Sequence, residues 1–430
     1  MDDTLALVKA RVVERFPADL ERIRAYLRMP SVSATGEGIG AVAEATGAWI
    51  EGAGGSFELQ ATPGHPLVVG ELPGPAGAPR LLRYGMYDVQ PAQEPDWTSP
   101  PFAAEVRDLP GVGPAVVARG SANSKSCLAC FFLAVEVLRE LEAMPLTVAL
   151  MIEGEEELGS PNLAAAVRAR AGDLTAEGAF DLDLTAGLDG QPELILGCKG
   201  LCDLELVCEA GDWGGPAVDL HSSEQAWIAS PVWALVQALA TLTGPDEEIR
   251  VAGLDGGPGP GEGDRRLLEA LLFRPTLNIS GLSAGYVGPG GKTIVPSRAE
   301  ARVDIRLVGG DPEVAADAVR RHLADRGFGH VQVRLLDAYP WAKAPPGNRS
   351  EAAMRASYRA LGRNALPYPL APWCAPYFVF DRVLGLPWAS GGVGHAAGAH
   401  GPDEYATLAG LEEHIVGAAA FLLAYADLGR

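Results

Sequence analysis

The sequence predicts an α/β protein of two domains, in which a central mixed, largely parallel sheet flanked by helices is interrupted by a smaller ferredoxin-like α+β insertion. Three observations predict it. Short apolar runs alternate with helical periods over the first 200 residues, and helices return after residue 337. The stretch between them has the order β-α-β-β-α-β. A chain of 430 residues, 48% hydrophobic and 21% charged, is long and apolar enough for two cores.

In chain order, residues 5–28 and 40–53 have helical periodicity, and the apolar runs 68–72 and 81–84 read as buried strands. A strand at 115–118, a helix at 128–141 and a strand at 146–152 continue the alternation. The insertion reads as strand 204–208, helix 231–242, strands 276–281 and 299–308, helix 312–326 and strand 331–336. Residues 244–263, rich in Gly, Pro and acids, read as an exposed loop. Helices at 351–361 and 404–425 complete the first domain, which therefore takes 1–200 and 337–430 and leaves 201–336 as the insertion.

Thirty-four Lys and Arg against 55 Asp and Glu give a formal charge of −21, which repels nucleic acid and anionic lipid. The apolar run 415–424 is about half the roughly 20 residues a bilayer span needs, so no transmembrane helix is expected. Met1-Asp2-Asp3 opens the chain without the basic start of an export signal, and six Cys without framework spacing suit a reducing compartment. A cytoplasmic location is the expectation. Cys127 and Cys130 form a C-x-x-C without a second pair, so they read as helix packing rather than a zinc site.

The densest chemistry is Glu153-Gly154-Glu155-Glu156-Glu157, directly after the strand ending at 152. Open α/β sheets bind ligands at the carboxyl ends of their strands. The cluster reads either as a solvated acidic turn or as a general base beside a metal ligand. Three other segments end strands in the same way: Tyr84-Gly85-Met86-Tyr87-Asp88-Val89-Gln90-Pro91, Arg119-Gly120-Ser121-Ala122-Asn123-Ser124-Lys125, and the Gly-rich Gly394-His395-Ala396-Ala397-Gly398-Ala399-His400-Gly401-Pro402-Asp403-Glu404.

These four segments, in this order and with the insertion, resemble the M20 metallopeptidases, the group of carnosinase-like dipeptidases, acetylornithine and succinyl-diaminopimelate deacylases and aminoacylases. The resemblance covers almost the whole chain. It implies a zinc-exopeptidase-like fold with a lid, a homodimer, and a small substrate derived from an amino acid or dipeptide. It implies Glu156 as the general base, Glu157 and His400 as metal ligands, and Asp88 as the acid that orients the first metal-binding His. In the lid, His221 of Asp219-Leu220-His221-Ser222 matches a His that polarises the scissile carbonyl, and Arg306 matches an Arg that holds a substrate carboxylate. Asn278 and the Gly-rich loop near Val287 join Arg306 as candidate substrate contacts.

The departures concern the metals. Met86 stands where the family pattern has a zinc-binding His, and Asn123 where it has the bridging Asp. The further acid falls near Thr185-Ala186-Gly187, with Asp183 and Asp189 close but out of register. Two of five ligands, Glu157 and His400, are clearly present, and a zinc site generally needs three protein ligands. The expectation is therefore no cofactor, with one weakly bound zinc or manganese ion as the alternative. The function expected is metal-independent acid/base chemistry through Glu156 on a small amide, whether hydrolysis, acyl transfer or cyclisation. The alternatives are a single-metal dipeptidase or deacylase and a binding protein without catalysis. Cys127, at a helix start, is a lesser candidate as a thiol nucleophile.

Overall fold

In a computed structural model, which describes residues 2–428 except 94, 246, 255 and 257–263, the apolar runs of the N-terminal part meet in an eight-stranded mixed sheet. Across the sheet the strands are Ser56–Gln60, Leu67–Leu72, Thr147–Glu153, Arg80–Met86, Gly178–Leu182, Trp388–Gly391, Glu193–Ile195 and Leu366–Tyr368. The three pairings around Arg80–Met86 and Gly178–Leu182 are parallel. Their strands are the near-continuous apolar runs expected when both faces are covered. Met86 and Glu153 pair at the carboxyl ends of two of these strands, which brings the Asp88 and Glu156 turns side by side.

The expected strand 115–118 belongs elsewhere. Gly113–Val117 pairs with Glu105–Leu109 and Tyr405–Thr407 in a separate four-stranded antiparallel sheet. Alternation along a sequence identifies a strand but not the sheet it joins. The same pairing takes the first residues of the expected helix 404–425. The helix itself is Leu408–Asp427, and the Thr407 hydroxyl caps it by accepting from Gly410 N at 3.0 Å.

Lys125–Glu140 begins three residues before the expected 128 and is buried on nearly all sides, as its continuous apolar composition requires. Cys127 and Cys130 lie in this buried helix, and burial raises both thiols above the ordinary value. The helix start therefore does not activate Cys127. Leu408–Asp427 is long and apolar enough, by length and composition, to cross a membrane, but most of it is buried against the helices Lys125–Glu140, Arg349–Ala360 and Asp2–Leu27.

His414 sits inside that C-terminal helix, 1% exposed. Its Nδ1 donates to Val393 O at 2.9 Å, and its Nε2 has no partner among the described residues. Burial pushes its pKa down to about 4. The folded state thus holds the ring neutral while the unfolded chain protonates it below pH 6.5, so stability is lost as pH falls from 6.5 towards 4. His414→Leu should remove about 3 kcal/mol of that acid-side loss, by the relation of 1.36 kcal/mol per unit. Urea unfolding of both proteins at pH 7 and pH 4.5 checks this, and parallel pH curves would refute it.

The chain divides into two units: Met1–Leu196 with Lys343–Pro369 and Tyr377–Arg430, and Gly197–Ala342 with Leu370–Pro376. The second unit thus runs from Gly197 to Ala342 where 201–336 was expected, and residues 370–376 also leave the stretch 337–430 assigned to the first domain. They do so because Ala371 N donates to Gly197 O at 2.7 Å and Lys199 N reaches Ala371 O at 3.1 Å.

The second unit is a four-stranded antiparallel sheet in the order Thr276–Ala284, Arg298–Leu307, Gly200–Glu209, Gln332–Tyr339. Alternate residues Ala299, Ala301, Val303, Ile305 and Leu307 face the helices Pro231–Ala240 and Pro312–Asp325 in one core. Of the expected loop 244–263, residues 246, 255 and 257–263 lie outside the described residues. The helix that follows, Asp264–Phe273, is an addition to the sequence reading.

Candidate functional site

Two turns and two loops meet at the carboxyl edge of the main sheet. The strand ending at Glu153 passes into a short 3-10 turn, Glu156–Leu158, whose opening N–H groups need acceptors. Asp88, completely buried after the neighbouring strand, supplies them: Oδ1 accepts from Glu156 N at 3.3 Å and Oδ2 from Glu157 N at 3.1 Å. This fixes the two Glu side chains relative to one another. Burial pushes Asp88 up to about 7, against the lowering effect of those N–H donors.

Glu156 is half-buried, and its carboxyl is held well above the ordinary range, first by burial and then by the charges of Glu157, Asp88 and Glu153. Glu153 below it is raised to about 8 by burial, with Tyr84 OH and Ser160 OH donating to Oε1 at 2.7 and 2.9 Å. Asp183, one residue beyond the strand Gly178–Leu182, is raised to about 7 by burial and then by Asp181, while hydrogen bonds to Ser124 and Cys127 lower it. Asp183 is thus the acid that the Ser124 loop meets, and its place directly after a strand end was the usable signal in the sequence.

Asn123 is the centre of the arrangement. Its Nδ2 lies 2.8 Å from Glu157 Oε1 and 2.9 Å from His400 Nε2, while its Oδ1 accepts from Ser124 Oγ at 3.0 Å. The carboxylate and the hydroxyl donor together fix the amide orientation. Gln90 Nε2 donates to the other Glu157 oxygen at 2.9 Å. His400 Nε2 is also 3.2 Å from Glu157 Oε2, and one nitrogen cannot serve both contacts in the same way. A neutral ring accepts from Asn123 and carries its proton on Nδ1. A protonated ring donates to Glu157, which raises the His400 pKa. The His400 side chain is 55% exposed, so its ring edge faces solvent.

Lys125 opens the following helix and points away from the acids. It is wholly buried, donating to Met29 O and lying 4.7 Å from the Tyr26 ring centre, and burial lowers it to about 7. It does not offset the repulsion between Glu156 and Glu157 through an ion pair. His395 is a structural histidine, bonded to Ala186 O at 2.8 Å and Tyr405 OH at 3.1 Å.

The remaining candidates belong to the second unit. His221 is exposed, with Nδ1 2.8 Å from Ser223 Oγ and Nε2 3.4 Å from Thr293 Oγ1. Asn278 donates to Asp304 at 2.9 Å on the edge strand. Arg306 donates from Nη1 to Cys374 Sγ at 3.2 Å. The sequence reading did not anticipate that thiol contact, because residues 306 and 374 are brought together only by the return of 370–376 into this unit.

A family model described as peptidase family M20/M25/M40 matches residues 83–427. The Cys-Gly metallodipeptidase dug1 of Schizosaccharomyces pombe is 28% identical over 300 residues, covering 61% of this chain and 60% of that protein. The Beta-Ala-His dipeptidase of Rattus norvegicus is 27% identical over 345 residues, covering 70% and 68%. The chain thus spans about two thirds or less of these relatives' own length. The crystal structure of an M20 family metallo-carboxypeptidase from Sulfolobus solfataricus superposes with a TM-score of 0.86 at 28% identity, over 95% of this chain and 99% of that one.

Proposed function

The chain belongs to peptidase family M20/M25/M40, and from that premise we propose that it acts on a dipeptide or a similarly small amide derived from an amino acid, with Glu156 moving the proton. Dipeptidases and a carboxypeptidase among its relatives support a small peptide-like substrate. The observation that carries the rest is the Asn123 amide. Its N–H groups point at Glu157 Oε1 and His400 Nε2, the two atoms that would otherwise face a pair of cations. An N–H donor and a metal ion cannot share a lone pair, and Met86 supplies a thioether in place of a nitrogen. These residues do not fit a two-metal centre, so the chemistry is assigned to the chain's own groups.

In the hydrolytic form, Glu156 takes a proton from a water molecule as its oxygen adds to the substrate carbonyl, then delivers that proton to the departing nitrogen. A carboxyl raised by burial and by neighbouring charge is a stronger base than an ordinary carboxylate, which favours taking the proton from water. Asp88 holds the Glu156 turn by accepting its N–H groups. In this reading His221, Asn278 and Arg306 recognise the substrate. A homodimer brings two such units together and the protein works in the cytoplasm, without nucleic acid or membrane as partner.

A second reading is favoured by the names of the relatives, which are metallopeptidases: a dipeptidase with one divalent ion. One experiment separates the two. Protein purified without chelator is assayed for zinc and manganese by mass spectrometry and for hydrolysis of a dipeptide panel before and after EDTA. The proposed function expects turnover that survives EDTA and less than a tenth of an ion per chain. Stoichiometric metal with activity abolished by EDTA establishes the second reading instead.

A further inference from the structure

Arg119 and Glu404 form an ion pair at 2.9 Å with both side chains 1% exposed, and neither has a part in the chemistry proposed above. Their other contacts are unusual in kind. The Glu404 carboxylate accepts three backbone donors of the Asn123 loop: Gly120 N at 3.1 Å, Ala122 N at 2.7 Å and Asn123 N at 2.9 Å. The two Nη groups of Arg119 also reach His400 O and Gly401 O of the opposite loop at 3.2 Å, and Pro91 O beyond the Asp88 turn at 3.0 Å. Trp97 lies against the guanidinium at 5.3 Å.

One buried pair thus holds the backbones of three of the four segments that frame the site: the Asn123 loop, the His400 loop and the chain after the Asp88 turn. The constraint is demanding on the His400 side. His400 and Asp403 both have positive φ, 66° and 53°, a conformation non-glycine residues hold only when their surroundings impose it. Asp403 is fixed from outside by Thr98, whose N and Oγ1 donate to its carboxylate at 2.9 and 2.7 Å. His400 is fixed from inside by Arg119. Without that grip nothing else described on the His400 backbone keeps Nε2 within reach of the Asn123 amide.

We infer that Arg119 and Glu404 are a positioning pair: by gripping the Asn123 loop and the His400 loop together, they create the Asn123 bridge between Glu157 and His400 and so select the Nδ1–H tautomer of His400. The inference rests on the proposed function in taking the Asn123 amide, and not a metal ion, as the bridge between Glu157 and His400. Its test does not use activity, so either can fail alone.

The test is ¹⁵N NMR of histidine-labelled full-length protein at alkaline pH, where the rings are neutral, with His400 assigned by His400→Gln. His414, bonded through Nδ1 to Val393 O within the buried helix Leu408–Asp427 and in contact with neither Arg119 nor Glu404 by any hydrogen bond described, serves as the internal control of folding. The wild-type Nε2 of His400 should resonate as an unprotonated acceptor, a single tautomer. Glu404→Asp keeps the charge balance with Arg119 but is one methylene too short to reach the three N–H groups. It should return His400 to the mixed tautomers of free imidazole while His414 is unchanged. Arg119→Lys, which keeps the charge but loses the fork of donors, should do the same and decides the matter if Glu404→Asp disturbs His414. Retention of the single Nδ1–H signature in a variant that keeps its His414 signal overturns the inference, as does a wild-type His400 that is already a tautomer mixture. Asn123→Ala should give the same loss of signature as the two variants.

Discussion

Glu156→Gln should lower turnover of the substrate by about 10²–10⁴-fold, the range that a positioned proton-transfer group contributes. The substitution keeps shape and volume and removes only the titrating oxygen, so KM should change little. It should also leave the turn intact, because Asp88 receives the Glu156 and Glu157 backbone N–H groups and not the side chain of residue 156. In addition, the variant relieves a buried group whose ionisation Glu157, Asp88 and Glu153 all oppose, so thermal stability at alkaline pH should rise rather than fall. Equal kcat values for the two proteins on a dipeptide that the wild type cleaves would remove Glu156 from the mechanism.

The second large effect is expected on combining Met86→His with Asn123→Asp. In metal-free buffer the double variant loses the amide that satisfies Glu157 and His400 and gains a carboxylate 2.8 Å from an existing one, at a cost of roughly 1–3 kcal/mol for the stranded groups. Zinc should reverse this. At a hundredfold excess over Kd, binding stabilises the folded state by about 2.7 kcal/mol, while the wild type, whose amide N–H groups cover the same atoms, should show no comparable rise. Differential scanning calorimetry with and without zinc reads the difference. A double variant as indifferent to zinc as the parent would mean that more of the site has diverged than these two residues.

These two substitutions also mark what the sequence made legible. The strands around Arg80–Met86 and Thr147–Glu153 could be read because buried parallel strands are continuous apolar runs, and the acids at their ends could be read because strand ends in such sheets face ligands. Asn123 was legible only as a missing Asp. Its positive role depends on partners 34 and 277 positions away, which no local pattern contains. Glu404 stood in a segment already singled out, four residues after His400, yet its function lies in three backbone N–H groups of another loop. Side-chain chemistry is written in the sequence, whereas backbone donors are anonymous until the chain is folded. The placement of Gly113–Val117 in a second sheet, and of 370–376 in the second unit, was hidden for the same reason.

The raised acids alter what the formal charge of −21 means. Asp88 and Asp183 at about 7 and Glu153 at about 8 are counted as anions in that sum but bind protons near neutrality, and burial and neighbouring charge raise Glu156 beside them. The site is a small proton reservoir whose filling responds to any charge brought to it. A substrate arriving with a free ammonium group would drive protons out as it binds, and a substrate arriving as a carboxylate would draw them in. Binding affinity would then carry its own pH dependence, opposite in sign for the two kinds of ligand, before any bond is broken.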